Sequence, residues 1–463
     1  MTNVFTDKFK KLLPIFGASL IAFICAYSLF TQYAYADVRK ADVIYGESVE
    51  SRGLSVANCP SIDAQYAILM TEDGTIYYER DAYESTQIAS ITKIMTAIVA
   101  LDSGVDLSTQ ITVSETAATI GESTSDLQTG DVLTLDQALT AMLVSSGNDA
   151  AQAIAENIGS AFIEGSESAY DAFINQMNKK ASELGMTNSL FENPHGLDFD
   201  SYSGSLHSSA YDVALMAKYA MQNETFRSIV SQSSATITLI RDGVTTQLEL
   251  ESTDEMLDEY EGACGIKTGF TALAGASFCG ACERDGKLLI AVVINSSDES
   301  SRFYDCENIF DWYFDHIVSY NLVNTSEYDN METTDGTENV PIIAEVAHSA
   351  WIDKTIKLTI SADDTSTEIF DLNGNVSQYI ELNEVSEDVH AGDVLGTITF
   401  KQRNVVIGTY NLIATEDCAA PNLFEGIGIW FNRFMLSFSG DDGVAENVIY
   451  NETPLINDKS SIL

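Results

Sequence analysis

The stretch "ASITKIMTA", Ala89–Ala97, places Ser90 and Lys93 three residues apart at what reads as the start of a helix. Positions i and i+3 share a helix face, so hydroxyl and amine can come within hydrogen-bond reach. A serine hydroxyl is a weak nucleophile until a base takes its proton, and a lysine can be that base once burial and a second cation lower its pKa. Lys93 is the only lysine of the chain with a serine three residues before it. Two polar residues sharing a helix face have the same spacing, so the pair assigns nothing by itself.

A second candidate is "MLVSSGNDAA". A helix over Leu135–Val144 breaks at Ser145-Ser146-Gly147-Asn148, and Asp149 can cap the next helix. Such a loop would fix the Ser146 hydroxyl for proton relay and the Asn148 amide for holding a substrate amide. A plain helix-turn-helix corner has the same pattern. The third candidate is "GIKTGFTALAG". Lys267 at the end of a strand supplies charge for a substrate carboxylate, Thr268 a hydroxyl to bond it, and Gly269 room for a close backbone approach. A strand entering a hairpin needs none of this. Together, Ser-x-x-Lys, Ser-x-Asn and Lys-Thr-Gly fall in order on a helix start, an interhelical loop and a strand, which points to serine-based acyl transfer.

On these motifs the chain resembles the D-alanyl-D-alanine carboxypeptidases, the low-molecular-weight penicillin-binding proteins. The resemblance runs roughly from Ser61 to Ile317 and includes "FENPHGLD" and "SSAYDVALMA". It implies that Ser90 attacks the carbonyl between two D-alanines of a peptidoglycan stem peptide and that Lys93 accepts its proton. Ser146 would pass a proton to the leaving D-alanine with Lys267 as electrostatic partner, Asn148 would hold the acyl-side amide, and Thr268, beside Gly269, the terminal carboxylate. Backbone N–H groups of Ser90 and Phe270 would form the oxyanion hole, each donor often contributing roughly 3 kcal/mol. No metal or cofactor is implied, and β-lactam antibiotics would be covalent inhibitors.

The chain departs from the family in two places. Gln87-Ile88-Ala89 precede Ser90 where many members have a proline. The acidic "ESTDEMLDEYEG" precedes the Lys-Thr-Gly strand where members often carry an Asn-rich, sometimes basic segment, which leaves the source of further carboxylate-binding charge open. His195 and His207 read as loop residues and not as a base. DD-endopeptidase action would use the same residues. A β-lactamase would need a deacylating glutamate after the Ser-x-Asn loop, and none near Glu183 is convincing. A non-catalytic penicillin or peptidoglycan binder would not require all three motifs intact.

The elements that position these residues define an α+β fold. "AQYAILMT" and "TIYYER" flank Asp73-Gly74 as a strand, tight turn and strand. Helical patterning covers Ser90–Leu101, Leu133–Val144 and Asp149–Ile158; strands return at "SATITLI", "GACGIKTG" and "KLLIAVVINS", and "RFYDCENIFDWYFDHI" closes the region as a helix. One antiparallel sheet with helical layers, of β-lactamase/transpeptidase-like type, is expected over residues 52–318. The polar, acidic segment 324–339 reads as a linker, and residues 340–416 as a small all-β domain. Within 419–439, Leu423, Ile427, Phe431, Phe434 and Phe438 recur at helical spacing beside Trp430, the pattern of an amphipathic helix lying in a membrane surface. Residues 440–463 read as an acidic tail.

Length and composition set the outer bounds. At 463 residues with 45% hydrophobic content, the chain can build two cores. The 69 Asp and Glu against 23 Lys and Arg give a net charge of -46, which argues against nucleic acid as a partner. Lys8, Lys10 and Lys11, an apolar run Leu12–Phe30 and an Ala34-x-Ala36 site read as a secretory signal over residues 1–36, or as an uncleaved anchor. The body of the protein is therefore expected at the outer face of the cytoplasmic membrane or in the cell wall. Six cysteines remain beyond residue 36, which permits disulfides. Cys279-x-x-Cys282 has zinc-site spacing but lies in a strand, where residues three apart point to opposite faces. A hairpin would bring Cys264 and Cys279 close enough for a bridge.

Overall fold

The computed structural model describes residues 42–165, 167–333, 336–362, 365–439 and 443–456; the expected signal segment 1–36 lies outside them. The chain divides into two units that meet between Tyr313 and Phe314.

In the first unit, the expected strand pair is β3 (Tyr66–Thr71) and β4 (Ile76–Arg80). Gly74 sits in their turn at φ +93°, a conformation that favours glycine, and Asp73 Oδ1 accepts from Thr75 N at 2.9 Å. With β1 (Asp42–Ile44), β2 (Glu47–Ser48), β9 (Ala263–Thr271), β10 (Gly275–Arg284) and β11 (Lys287–Ser296) they form a seven-stranded antiparallel sheet, ordered β2-β1-β4-β3-β11-β10-β9. The strand carrying Lys267 is therefore an edge. Central strands β3 and β11 are apolar on both faces, which requires cover on both. Ile68, Met70, Ile290, Val292 and Ile294 join the main core with Val213, Ala214 and Met216 of helix Ala210–Ala220. On helix Ser301–His316, Phe303 meets Phe278 at 5.1 Å between ring centroids, and Trp312 meets Tyr78 at 5.7 Å.

Three helices make the layer that holds the serines: α1 (Lys93–Asp102), α3 (Leu135–Val144) and α4 (Asn148–Ile158), with the one-turn helix α2 (Glu115–Ala118) between the first two. Thr134 and Gln137 cap α3 reciprocally, Thr134 N donating to Gln137 Oε1 at 2.8 Å and Gln137 N to Thr134 Oγ1 at 3.3 Å. Asp149 does not cap α4. Gly147 holds the cap position and Asp149, in the first turn, accepts from the backbone N–H of Ser125 and Leu127 at 3.0 Å. A second antiparallel sheet runs β5 (Gln110–Thr112), β6 (Val132–Thr134), β7 (Ser234–Arg241) and β8 (Val244–Glu251).

All six described cysteines are free thiols, so no bridge links Cys264 to Cys279. The ladder register explains this: Cys279 lies opposite Lys267, and Cys282 opposite Ala263 across a bulge. A hairpin alone does not fix register at single-residue precision.

Among its described residues, the second unit is β apart from one long helix and two single 3-10 turns. Its main sheet has six strands, one of them Val448–Ile449, and Leu358, Ile398, Phe400, Leu412 and Ala414 are fully buried in its core. Two expectations are corrected. The stretch 324–339 is not a bare linker, because Tyr328–Thr333 and Gly336–Pro341 pair as a hairpin with Asn330 opposite Asn339. Backbone ladder bonds and polar pairs such as Thr337 Oγ1 to Glu332 Oε1, 2.8 Å, hold it without an apolar stripe. Nor is the segment from residue 440 simply a tail: Val448–Ile449 joins the sheet beside Ala344–Ala347, and Asn451 donates to Leu322 O at 3.0 Å and Gln378 Oε1 at 2.7 Å. Helix Leu423–Leu436 thus lies in a connection between two strands of one sheet.

Candidate active site

Ser90 stands in a tight turn, Ala89–Thr92, that runs into α1. Ala89 adopts φ +46°, unusual for a residue with a side chain, and it turns the chain so that Ser90 faces a cleft. Gly269 makes the packing of this turn on the edge strand possible, since a Cβ there would lie 2.7 Å from Ile88 O and 3.2 Å from Ile91 Cγ1. Gly196 plays the same part opposite, where a Cβ would collide with Ala89 O.

Lys93 is fully buried. Its Nζ is 2.8 Å from Ser90 Oγ, 2.7 Å from Asn148 Oδ1, 3.2 Å from His195 O and 3.5 Å from Ser146 Oγ. Two of these partners, the amide and the peptide oxygen, can only accept. As a neutral amine, Lys93 would have two N–H groups for them and one lone pair left for the Ser90 hydroxyl. Burial first and Lys267 second push the Lys93 pKa well below that of an ordinary lysine, and Asp149 opposes them.

The loop between α3 and α4 supplies the other wall. Ser146, 4% exposed, adopts φ +62°, and Asn148 is anchored by Nδ2 to Gly121 O at 3.1 Å and by its backbone N to Ser123 O at 2.8 Å. On the edge strand, Lys267 is buried and donates to Thr268 O at 3.2 Å, with Thr268 Oγ1 at 3.5 Å; that hydroxyl lies 2.6 Å from Thr253 Oγ1. Burial, then Arg302, push the Lys267 pKa down to about 7, against the pull of Asp254. Ser90, Ser146, Asn148, Thr268, Gly269 and Phe270 all line one cavity of about 530 Å³, with Lys93 and Lys267 bonded beneath it. A second hollow of about 560 Å³, bordered by Asp136, Glu224 and Thr236, holds none of the motif residues.

The histidines take no place in this chemistry. His195 is buried, its Nδ1 accepts from Leu197 N at 3.2 Å, and only its carbonyl reaches Lys93. His207 Nδ1 contacts Ser205 O. Glu183 ends its helix in an ion pair with Lys180 and does not line the cleft. Sequence reasoning missed Arg302. Its guanidinium, on the first turn of helix Ser301–His316, borders the cavity and contacts Gly269 O at 3.5 Å, beside the Lys-Thr-Gly residues. It places a cation at the cleft despite the acidic "ESTDEMLDEYEG". No local motif marks it, because the cation comes from another element.

A nucleophile, a buried amine, an interhelical hydroxyl and a cationic edge strand around one cleft define a penicillin-recognising, transpeptidase-like serine enzyme. The Streptomyces K15 DD-transpeptidase structure is 30% identical, covers 55% of this chain and 98% of its own, and superposes with a TM-score of 0.52. D-alanyl-D-alanine carboxypeptidase DacD from Francisella tularensis, 22% identical, shares the fold over 78% of this chain and 95% of its own at the same TM-score of 0.52. In sequence, D-alanyl-D-alanine carboxypeptidase DacF of Bacillus subtilis is 31% identical over 363 residues, 77% of this chain and 86% of that protein. The family model for D-alanyl-D-alanine carboxypeptidase, peptidase S11, matches residues 54–298, and the chain belongs to that family. It is a serine-type carboxypeptidase of the cell wall, acting on peptidoglycan outside the cytoplasm or at the membrane.

Proposed function

We propose that the enzyme removes the terminal D-alanine from peptidoglycan stem pentapeptides through an acyl-enzyme on Ser90. The observation that carries this is the Lys93 amine, 2.8 Å from Ser90 Oγ and held by acceptor-only oxygens on its other sides. Lys93 takes the Ser90 proton as Oγ attacks the carbonyl between the two D-alanines. Backbone N–H groups of Ser90 and Phe270 receive the oxyanion. Ser146, within reach of Lys93, hands the proton to the departing amine while Asn148 holds the acyl-side amide. Thr268, Lys267 and Arg302 grip the terminal carboxylate, and water then frees the acyl group. Penicillin offers the same carboxylate and an acylating carbonyl, so it labels Ser90.

The test is mass spectrometry of products from purified muropeptides. Loss of a terminal D-alanine supports the reading; release of crosslinks alone replaces it with endopeptidase action. Retained penicillin labelling in Ser90→Ala would refute the nucleophile.

The exported location rests on the N-terminal segment, and membrane contact on helix Leu423–Leu436. That helix has no buried residue, and Leu423, Phe424, Ile427, Trp430 and Phe438 are each at least 60% exposed. Among the described residues no helix is long and apolar enough to cross a membrane, so the contact proposed is a helix lying in the interface.

A further inference from the structure

The acidic stretch before the Lys-Thr-Gly strand has one residue that turns inward. Asp254, in the turn after β8, is 6% exposed. Its Oδ1 accepts from Met256 N at 3.0 Å, and its own N donates to Ser252 Oγ at 3.1 Å. Its Oδ2 is buried and, among the described residues, has no hydrogen-bond partner. The residue before it is tied to the site on two sides: Thr253 Oγ1 lies 2.6 Å from Thr268 Oγ1, and Thr253 N donates to Val144 O at 3.2 Å. Asp254 is thus fixed one residue away from the carboxylate-binding hydroxyls.

A buried carboxylate oxygen without a donor is unfavourable unless nearby cations compensate it. Two are present, Lys267 at 1% and Arg302 at 6% exposure; burial pushes the Asp254 carboxyl up to about 7 and both cations oppose that rise, so the carboxylate forms on the alkaline side, where Lys267 would otherwise lose its proton. Among the described residues neither closes to ion-pair distance with Asp254, and Arg302 pairs instead with the exposed Glu299 at 3.5 Å. Resting on the carboxypeptidase reading of the cleft, we propose that Asp254 is a positioning residue: its unpartnered buried carboxylate is the counter-charge that keeps Lys267 an ammonium and, with Arg302, ready for the substrate's terminal carboxylate.

The surrounding charges support this assignment. Burial and then Arg302 disfavour the charge of Lys267, and Asp254 is the carboxylate that favours it. Around Asp254 itself stand Lys267 and Arg302, with Asp258 on the following helix and the neutral thiols of Cys264, Cys279 and Cys306. Glu255 and Glu299 act on Arg302 from the rim. Without Asp254, burial and Arg302 would act on Lys267 unopposed, and it would lose its proton more readily.

The experiment is the pH profile of kcat/KM for D-alanine release from Nα,Nε-diacetyl-L-lysyl-D-alanyl-D-alanine, run beside acylation by benzylpenicillin, for wild type, Asp254→Asn and Asp254→Glu. In Asp254→Asn the alkaline limb moves to lower pH, so the alkaline end falls by about tenfold, one pKa unit, while the acid end stays within about twofold. The loss lies in KM more than in kcat, and Asp254→Glu restores the wild-type limb. A uniform fall across pH, or an unmoved limb, overturns the proposal. If Asn at this position does not fold, Asp254→Ser, which keeps an acceptor for Met256 N, is read in the same way. Absence of D-alanine release by wild type would instead refute the carboxypeptidase reading, and the penicillin profile would still report on Asp254.

Discussion

The two buried lysines of the cleft are equally hidden from solvent and differently satisfied. Lys93 is ringed by four protein oxygens from three separate elements. Among the described residues Lys267 has only the carbonyl and hydroxyl of its own neighbour, Thr268. Acceptors for two N–H groups and a hydroxyl for the lone pair suit the base proposed for Lys93. A donor left unspent suits the ligand-binding charge proposed for Lys267. Hydrogen-bond saturation, more than burial, separates the two roles.

The comparison breaks first at Lys93. Lys93→Ala should leave penicillin binding measurable and slow acylation by about a thousandfold, the usual range for a lost general base, in stopped-flow with benzylpenicillin. A loss under tenfold would mean that Lys93 is not the base. Lys267→Ala should cost less, on the order of a hundredfold in kcat/KM, with more of it in KM, because it removes a ligand-binding charge. The signs with pH are opposite. With Lys93 proposed as a neutral amine, activity should rise as pH climbs through its lowered pKa; with Lys267 proposed as a cation, activity should fall as pH passes about 7. Loss of the alkaline limb in Lys267→Ala, with the acid limb kept, checks the assignment.

Gly269→Ala tests whether the two walls must touch. The new Cβ would meet Ile88 O at 2.7 Å, so the Ser90 turn or the edge strand must shift. Such misplacement should lower kcat/KM by about tenfold to a hundredfold and stability by about 1–3 kcal/mol in thermal unfolding. An unchanged acylation rate would show that the turn is not seated by that contact.

What could be read from the sequence follows the same distinction between local and non-local chemistry. Ser90, Lys93, Ser146, Asn148, Lys267 and Thr268 announce themselves because each motif is a few residues long and sits on an element with a clear pattern. Arg302 does not, since it comes from a helix start thirty-odd residues past Lys267 and becomes meaningful only beside Gly269 O. The Cys264–Cys279 bridge failed on ladder register, and the 324–339 hairpin was hidden because polar cross-strand pairs leave no apolar alternation. Val448–Ile449 is too short for any periodicity to show.

The smallest expected effect concerns a third cation, Arg433, which extends the comparison to the second unit. Its guanidinium donates to Ser349 O at 2.6 Å, Trp351 O at 2.8 Å and Gly443 O at 3.3 Å, so three of its five N–H donors are spent on the β unit. It is more committed than Lys267 and less free to meet an outside anion. Binding of helix Leu423–Leu436 to a membrane must then come from its apolar face, and the chain's charge of -46 opposes any attraction to anionic lipid. Vesicles of neutral phosphatidylcholine and vesicles with added phosphatidylserine should therefore bind the protein within about twofold of each other, whereas Trp430→Asp with Phe434→Asp should abolish binding to both, each aspartate at that interface costing on the order of 1–3 kcal/mol. A strong, salt-sensitive preference for the anionic vesicles would show that Arg433 leaves its carbonyls to meet the lipid.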